Sequence, residues 1–238
     1  MTARTDAQDD IISMRHKPLH LLKYLDENSW LPGPRANLTL VDAFADVAPE
    51  EIIWQLCGSP DEFRRLCGAA ALGRLHLERP DDPAVVARLT ELAADDNWRV
   101  REGVAMALQR VGDASPQLLL KLIDGFLTGP SRVVRAAVAG ICEPRLLRDP
   151  AMADAALDAC VRATARLHAV PFDQRRHDDV RTLRQALGYC WSVAIAAAPE
   201  RGLELWRELE GRAAGDVDLT WIVNENRMKA RLQRVLRS

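Results

Sequence analysis

Apolar residues recur three and four apart along most of the chain, as at Leu118, Leu119, Leu122, Ile123 and Phe126. No stretch sustains the period-of-two alternation of a half-buried strand. Spacing of three and four places side chains on one face of a helix, so the pattern predicts an all-α chain. Helix starts are marked by Ser59-Pro60, Asp82-Pro83, Ser115-Pro116 and Asp149-Pro150, with weaker versions at Ala48-Pro49 and Ala198-Pro199. In each strong case an oxygen-bearing side chain accepts a free N–H, and proline at the first position gives up only a donor without a partner.

Between these marks one helix type repeats. "RRLCGAAALGRL" (64–75), "VREGVAMALQRV" (100–111), "VRAAVAGICEPRL" (134–146), "VRTLRQALGY" (180–189) and "VNENRMKARL" (223–232) align at anchors 64, 100, 134, 180 and 223. The anchors are 36, 34, 46 and 43 residues apart, the length of a helix-pair repeat with insertions in the last two units. The polar stretch 167–180, broken by Pro171, is expected as a loop. Residues 17–28 and 38–48 read as helices that cap the array, with "SWLPGPRAN" (29–37) a loop between them and a polar tail before them. The expected organisation is therefore 1–48 as tail and capping helices and 49–238 as repeat array. Gly68 and Gly73, and Gly125 and Gly129, are expected at close-packing and turn positions.

The repeat carries a further pattern: an Asp, then Val-Arg five and six residues later. "DDNWRVREGVAMAL" has it in full with Asp95 and Arg101, and "DLTWIVNENRMKARL" has Asp218 with Asn224 in the Arg place. Arg65, Arg135 and Arg181 keep the Arg alone. On these residues, roughly 49–236 resembles the HEAT-repeat family. The resemblance implies a right-handed α-solenoid of about five helix pairs. It also implies a structural ladder of charge-assisted bonds between neighbouring units, carried by Asp95, Arg65, Arg101, Arg181 and Asp218.

Composition narrows the class. Apolar residues are 48% but aromatics only 5%, so the core is built from Ala, Leu and Val, which suits helices. The 32 Lys and Arg against 34 Asp and Glu give a net charge of −2, against the basic excess usual in nucleic-acid binders. Five cysteines (57, 67, 142, 160 and 190) lie in apolar helical contexts without zinc or C-x-x-C spacing, so they are expected as buried free thiols. The polar, acidic N-terminus has no signal-peptide core, and the longest apolar run is too short to cross a bilayer. A cytoplasmic protein without membrane contact is the expectation.

Two helical pairs carry candidate chemistry: Trp98 with Glu102 and Trp221 with Glu225, each four residues apart and so on one helix face. One reading has the Trp covering the turn between helices and the Glu solvated. The other has ring and carboxylate holding a cation. On the second, the chain is similar to bacterial HEAT-like alkylpurine DNA glycosylases. Trp98, Glu102, Arg135 in "VVRAAV" and Trp221 in "WIVNEN" follow that family's order. The resemblance implies Glu102 as catalyst, where the family has Asp, with Trp98, Arg135, Trp221 and Glu225 binding substrate. For Arg135 the ladder is the competing role. The C-terminal Arg227, Lys229, Arg231, Arg234 and Arg237 read either as phosphate contacts or as cations at helix ends. His16 and His20 have metal-like spacing, but Pro18 intervenes and no further ligand lies nearby. His177-Asp178-Asp179 falls in the expected loop. No metal or cofactor is expected, and no nucleotide-binding or hydrolase motif occurs. The first expectation is thus a non-catalytic scaffold that binds a protein or peptide on a concave face. The alternative is alkylpurine excision from duplex DNA.

Overall fold

The computed structural model describes residues 2–237. Among them are fourteen α-helices, two short 3-10 turns and no strand. The chain divides into two compact units, residues 1–118 and 119–238, with the boundary inside a helix.

The first unit contains α1 (Ala3–Ser13), α2 (Pro18–Glu27), α3 (Leu38–Val47), α4 (Glu50–Cys57), α5 (Glu62–Glu78), α6 (Pro83–Ala93) and α7 (Trp98–Ala114). The expected polar tail is largely the helix α1. Thr2 caps it, Ile11 is fully buried, and Arg4 and Gln8 both bond Asp46 of α3. Arg110 of α7 reaches the same Asp46 and also Asp42, at 3.3 Å. The four helices α4 to α7 form two successive pairs. Their capping follows local chemistry: Asp82 accepts from the Ala84 N–H and Asn97 from the Arg99 N–H. At α5 the cap is Asp61 rather than the expected Ser59, whose hydroxyl instead accepts the Asp61 N–H, and the helix starts two residues later.

The second helices of the two pairs, α5 and α7, lie side by side. The contact is unusually close. A Cβ on Gly73 would stand 2.5 Å from the Ala107 carbonyl oxygen, and one on Gly103 would stand 2.7 Å from that of Leu66. Two helices approach like this only where small residues let backbone meet backbone. Ala69 and Ala107, both fully buried, belong to this face, with Ala69 lying 2.9 Å from a Cβ on Gly103. Gly68 is a close-packing position too, against Cys57.

The helix α8 (Pro116–Phe126) spans the unit boundary. The second unit then holds α9 (Ser131–Ile141), α10 (Pro150–His168), α11 (Asp178–Ala197), α12 (Pro199–Ala213), α13 (Val217–Arg227) and α14 (Ala230–Arg237). Again second helices are neighbours: α9 packs on α11, and α11 on α13. This neighbour-to-neighbour packing is that of an α-solenoid. Gly125 has open space around it and Gly129 lies at the turn before α9, so only the first pair, Gly68 and Gly73, serves close packing. The expected loop at 167–180 is shorter, because α10 runs to His168 and α11 starts at Asp178. Arg175 ties the remaining segment down through the Val170 carbonyl, the His168 carbonyl and Asp216.

The core of this unit centres on Trp191 and Trp206, with ring centroids 6.5 Å apart in an edge-to-face arrangement. The Trp191 N–H donates to Thr164 at 3.0 Å. Asn226, fully buried, donates to the Leu187 and Ile222 carbonyls and accepts from the Ser192 N–H. That buried amide fixes the register of α13 on α11, since a one-residue slip would leave these polar groups unpaired.

Candidate functional site

The head of α7 is built by the residues before it. Asp95 accepts the Asn97 N–H at 2.7 Å, and Asn97 then caps the helix and donates to Glu62 of α5 at 2.6 Å. Trp98 is therefore the first residue of the helix. Arg99 lies over it, its guanidinium carbon 4.6 Å from the ring centroid. The same guanidinium pairs with Glu62 at 3.4 Å and donates to the Gly33 carbonyl at 3.3 Å. Gly33 belongs to the loop that carries Trp30, whose carbonyl accepts the Gly33 N–H. Trp30 sits at φ 63°, a left-handed conformation that side-chain-bearing residues rarely adopt. Trp98 and Trp30 are 54% and 64% exposed. An exposed indole and a fixed arginine thus meet the loop that carries a second exposed tryptophan.

The ladder residues sit just beneath. Arg65 pairs with Asp95 at 3.3 Å and donates to the Ser59 carbonyl at 3.0 Å. Arg101 donates to the Asp95 and Asp96 carbonyls. Each arginine thus closes the turn before its own helix, six residues back, and Arg65 also reaches the next unit. Glu102, one turn beyond Trp98, is half-buried.

In the second unit Trp221 has a different setting. The helix α13 starts at Val217, capped by Asp216, so Trp221 is in its second turn. Its ring lies on the Gly188 backbone, where a Cβ would stand 2.8 Å from Cζ3. The Arg184 guanidinium lies 4.8 Å from its centroid and pairs with Asp218 at 2.7 Å. Glu225 flanks the same glycine and pairs with Lys229 at 3.4 Å. Asp218 is met by Arg184 and, at 3.5 Å, by Arg175, while Arg181 is exposed on the first turn of α11. Arg135 is half-buried on α9.

The two tryptophan sites therefore share one chemistry. In each, an arginine of this chain covers the ring and a carboxylate of this chain fixes the arginine: Trp98, Arg99 and Glu62, and Trp221, Arg184 and Asp218. The cation that a ring and carboxylate are suited to hold is internal. The carboxylates that fix these two arginines are Glu62 and Asp218. Sequence spacing cannot reveal this, because Arg99 finds Glu62 and Arg184 finds Asp218 across a helix interface.

The other candidates are placed plainly. Arg227 pairs with Glu210, while Arg231 stacks on Tyr189 and donates to its hydroxyl. Asp178 pairs with Arg132 across 3.0 Å, and His177 precedes α11 as its cap residue. His16 accepts from Arg15. Among the described residues no group of three or more His, Cys, Asp or Glu is placed to hold a metal ion. The five cysteines are buried and unpaired by disulfides, and Cys142 and Cys160 stand 3.8 Å apart, sulfur to sulfur. No helix among the described residues is long and apolar enough to cross a membrane.

Residues 49–141, from α4 to α9, match the family model of HEAT repeats. No curated protein matches the chain. The paired helices, the side-by-side second helices and the arginines closing each turn agree with that match, and over this span the chain is similar to HEAT repeats.

Proposed function

We propose that the protein is a non-catalytic scaffold that binds a protein or peptide partner, and that the edge bearing Trp98, Arg99 and Trp30 is a point of contact. The observation that carries this is the exposure of two tryptophans beside an arginine already fixed by Glu62 and the Gly33 carbonyl. Tryptophan and arginine are the residues that most often anchor a protein interface. Arg99 is held before any partner arrives, so less ordering entropy is lost on binding. HEAT repeats generally act as protein-interaction scaffolds, which supports the same reading.

The alternative is excision of cationic alkylpurines from duplex DNA with Glu102 as catalyst. It has the exposed Trp98 in its favour. Against it stands Arg99, which already supplies a cation to that ring. One experiment separates the two. Proteins co-purifying with the wild type are quantified against Trp98→Ala and Arg99→Ala, and release of methylated purine from alkylated duplex is measured for wild type and Glu102→Gln. The expected result is a partner lost by about tenfold in both edge variants, with no base released by any protein. Base release that disappears in Glu102→Gln would replace the scaffold reading with the enzymatic one. Equal capture by all variants would remove Trp98 from the interface.

A further inference from the structure

The second unit has an open groove of 740 Å³ that none of the residues discussed above as Trp or Glu candidates lines. Its floor is aliphatic: Val193, Ala196 and Ala197 from the last turns of α11, with Pro144 and Leu147 from the turn after α9. Ala196 and Ala197 are exposed, because nothing among the described residues covers that end of α11. The opposite wall is the start of α14, where Lys229, Arg231 and Arg234 line the groove and Met228 stands 75% exposed at its lip. Lys229 shares its charge with Glu225. Arg231 meets only the ring and hydroxyl of Tyr189, and Arg234 only the Ala230 carbonyl. Among the described residues neither arginine has a carboxylate within ion-pairing distance. Among the described residues two arginines are therefore left uncompensated beside an apolar floor.

That combination selects its occupant by chemistry. The floor has no aromatic platform on which bases would stack, which disfavours nucleic acid. The groove is open along its length, so an acyl chain would stay half in water. A peptide side chain suits it better: one apolar group on the floor, with carboxylates on the same segment facing the arginines. Arg231 and Arg234 are three residues apart on α14, on one face and about 5 Å apart along it, a spacing that successive acidic residues of a bound segment can match. Met228 is an adaptable wall for apolar groups of different shape. We propose that this groove is a binding site for an acidic peptide segment, one that seats an aliphatic or aromatic side chain on Ala196, Ala197 and Leu147 and sets its flanking carboxylates against Arg231 and Arg234. The site is independent of the Trp98 edge.

The test is fluorescence anisotropy with a fluorescein-labelled twelve-residue peptide in which Asp and Glu flank a central Leu-Phe pair. Two companion peptides carry Lys for the acids or Ser for Leu-Phe. The full chain is titrated as wild type, Trp98→Ala, Arg234→Glu, Ala196→Glu and Arg207→Glu, the last a charge reversal on the exposed surface of α12 away from the groove lining. The acidic peptide should bind, both companion peptides should not, and Arg234→Glu and Ala196→Glu should each weaken binding about tenfold with unchanged Tm. Arg207→Glu and Trp98→Ala should leave affinity as it was. No binding by ~1 mM protein overturns the proposal, as does an equal loss in Arg207→Glu, which would trace the attraction to overall charge. Competition by phosphatidylserine vesicles that bind more tightly than the peptide overturns it in favour of a membrane surface.

Discussion

Gly188 of α11 lies against the ring of Trp221 so closely that a Cβ on the glycine would come within 2.8 Å of Cζ3. The same ring meets the Arg184 guanidinium, 4.8 Å from its centroid and itself anchored on Asp218. Trp221 is thus part of the joint between two helices, held in place by the glycine, the arginine and the buried Asn226 that sets the register.

Gly188→Ala forces the ring out of this joint and should destabilise the protein by about 1–3 kcal/mol. Urea unfolding measures it. The double variant Gly188→Ala, Trp221→Ala should recover part of the loss, because the second change removes the group the new methyl strikes. Independent, additive losses would show that the two residues do not share a contact.

The seam between α5 and α7 is less forgiving. A methyl at Gly73 meets the Ala107 main chain, with its oxygen 2.5 Å and its Cα 2.9 Å away. Backbone cannot rotate aside as a side chain does, so the helices themselves must separate. Gly73→Ala should cost more than Gly188→Ala and lower Tm by several degrees, at about 2–4 °C per kcal/mol for a chain of this size. An unchanged Tm would mean that the helices do not touch there.

Asp216 ties the 169–177 segment to α13. Burial of its carboxyl opposes ionisation, but the Arg175 guanidinium, the Leu219 N–H and His168 together hold its pKa down to about 2. A carboxylate depressed in the folded state adds stability at pH values above its unfolded pKa, ordinarily about 3.9, and loses it as pH falls through about 2. Asp216→Asn should therefore melt earlier than wild type at pH 7, with the gap narrowing below about pH 4. Thermal melts of both proteins down the pH scale check this. A gap of constant size would assign the effect to lost packing alone.

The cysteines should be chemically silent. Burial pushes the Cys57 thiol up to about 12 and the Cys67 thiol well above its ordinary value, and all five side chains are buried. A thiol-specific disulfide reagent at pH 8 should label none in the folded protein and all five in denaturant. Rapid labelling of the native chain would mean that a core helix opens.

Helices were legible in the sequence because their signals are local. Asp82, Asn97 and Asp149 cap where a short polar residue precedes an apolar periodic run, and Arg65 meets Asp95 as the repeat spacing suggests. What stayed hidden depends on neighbours. The alignment made Trp98 and Trp221 equivalent, yet Asp216 starts α13 four residues before Trp221, whereas Asn97 starts α7 at Trp98 itself. One indole is therefore exposed on a helix end and the other packed on a glycine. Asp218 is met by Arg184, one turn beyond Arg181, since α11 begins early and leaves Arg181 on its exposed first turn. Trp30 lies in a loop without periodicity. Its signal was compositional, a tryptophan in a Gly- and Pro-rich stretch, where little core is available to bury it. The helix α1 was missed because two buried residues, Ala7 and Ile11, are too few to raise a periodic pattern.

The main-chain contact between α5 and α7 also limits how this protein can diversify. Gly73 and Gly103 on the seam are held without a side chain by geometry, so they carry no information about what is bound. Heritable differences in specificity must accumulate elsewhere, on helix heads and in the turns before them, where a new side chain meets water rather than another backbone. Trp98, Arg99 and Trp30 stand on such ground. Sequence drift among related chains should therefore be read position by position, with constancy along the seam recording architecture and, on the proposed scaffold reading, change at the helix heads recording choice of partner.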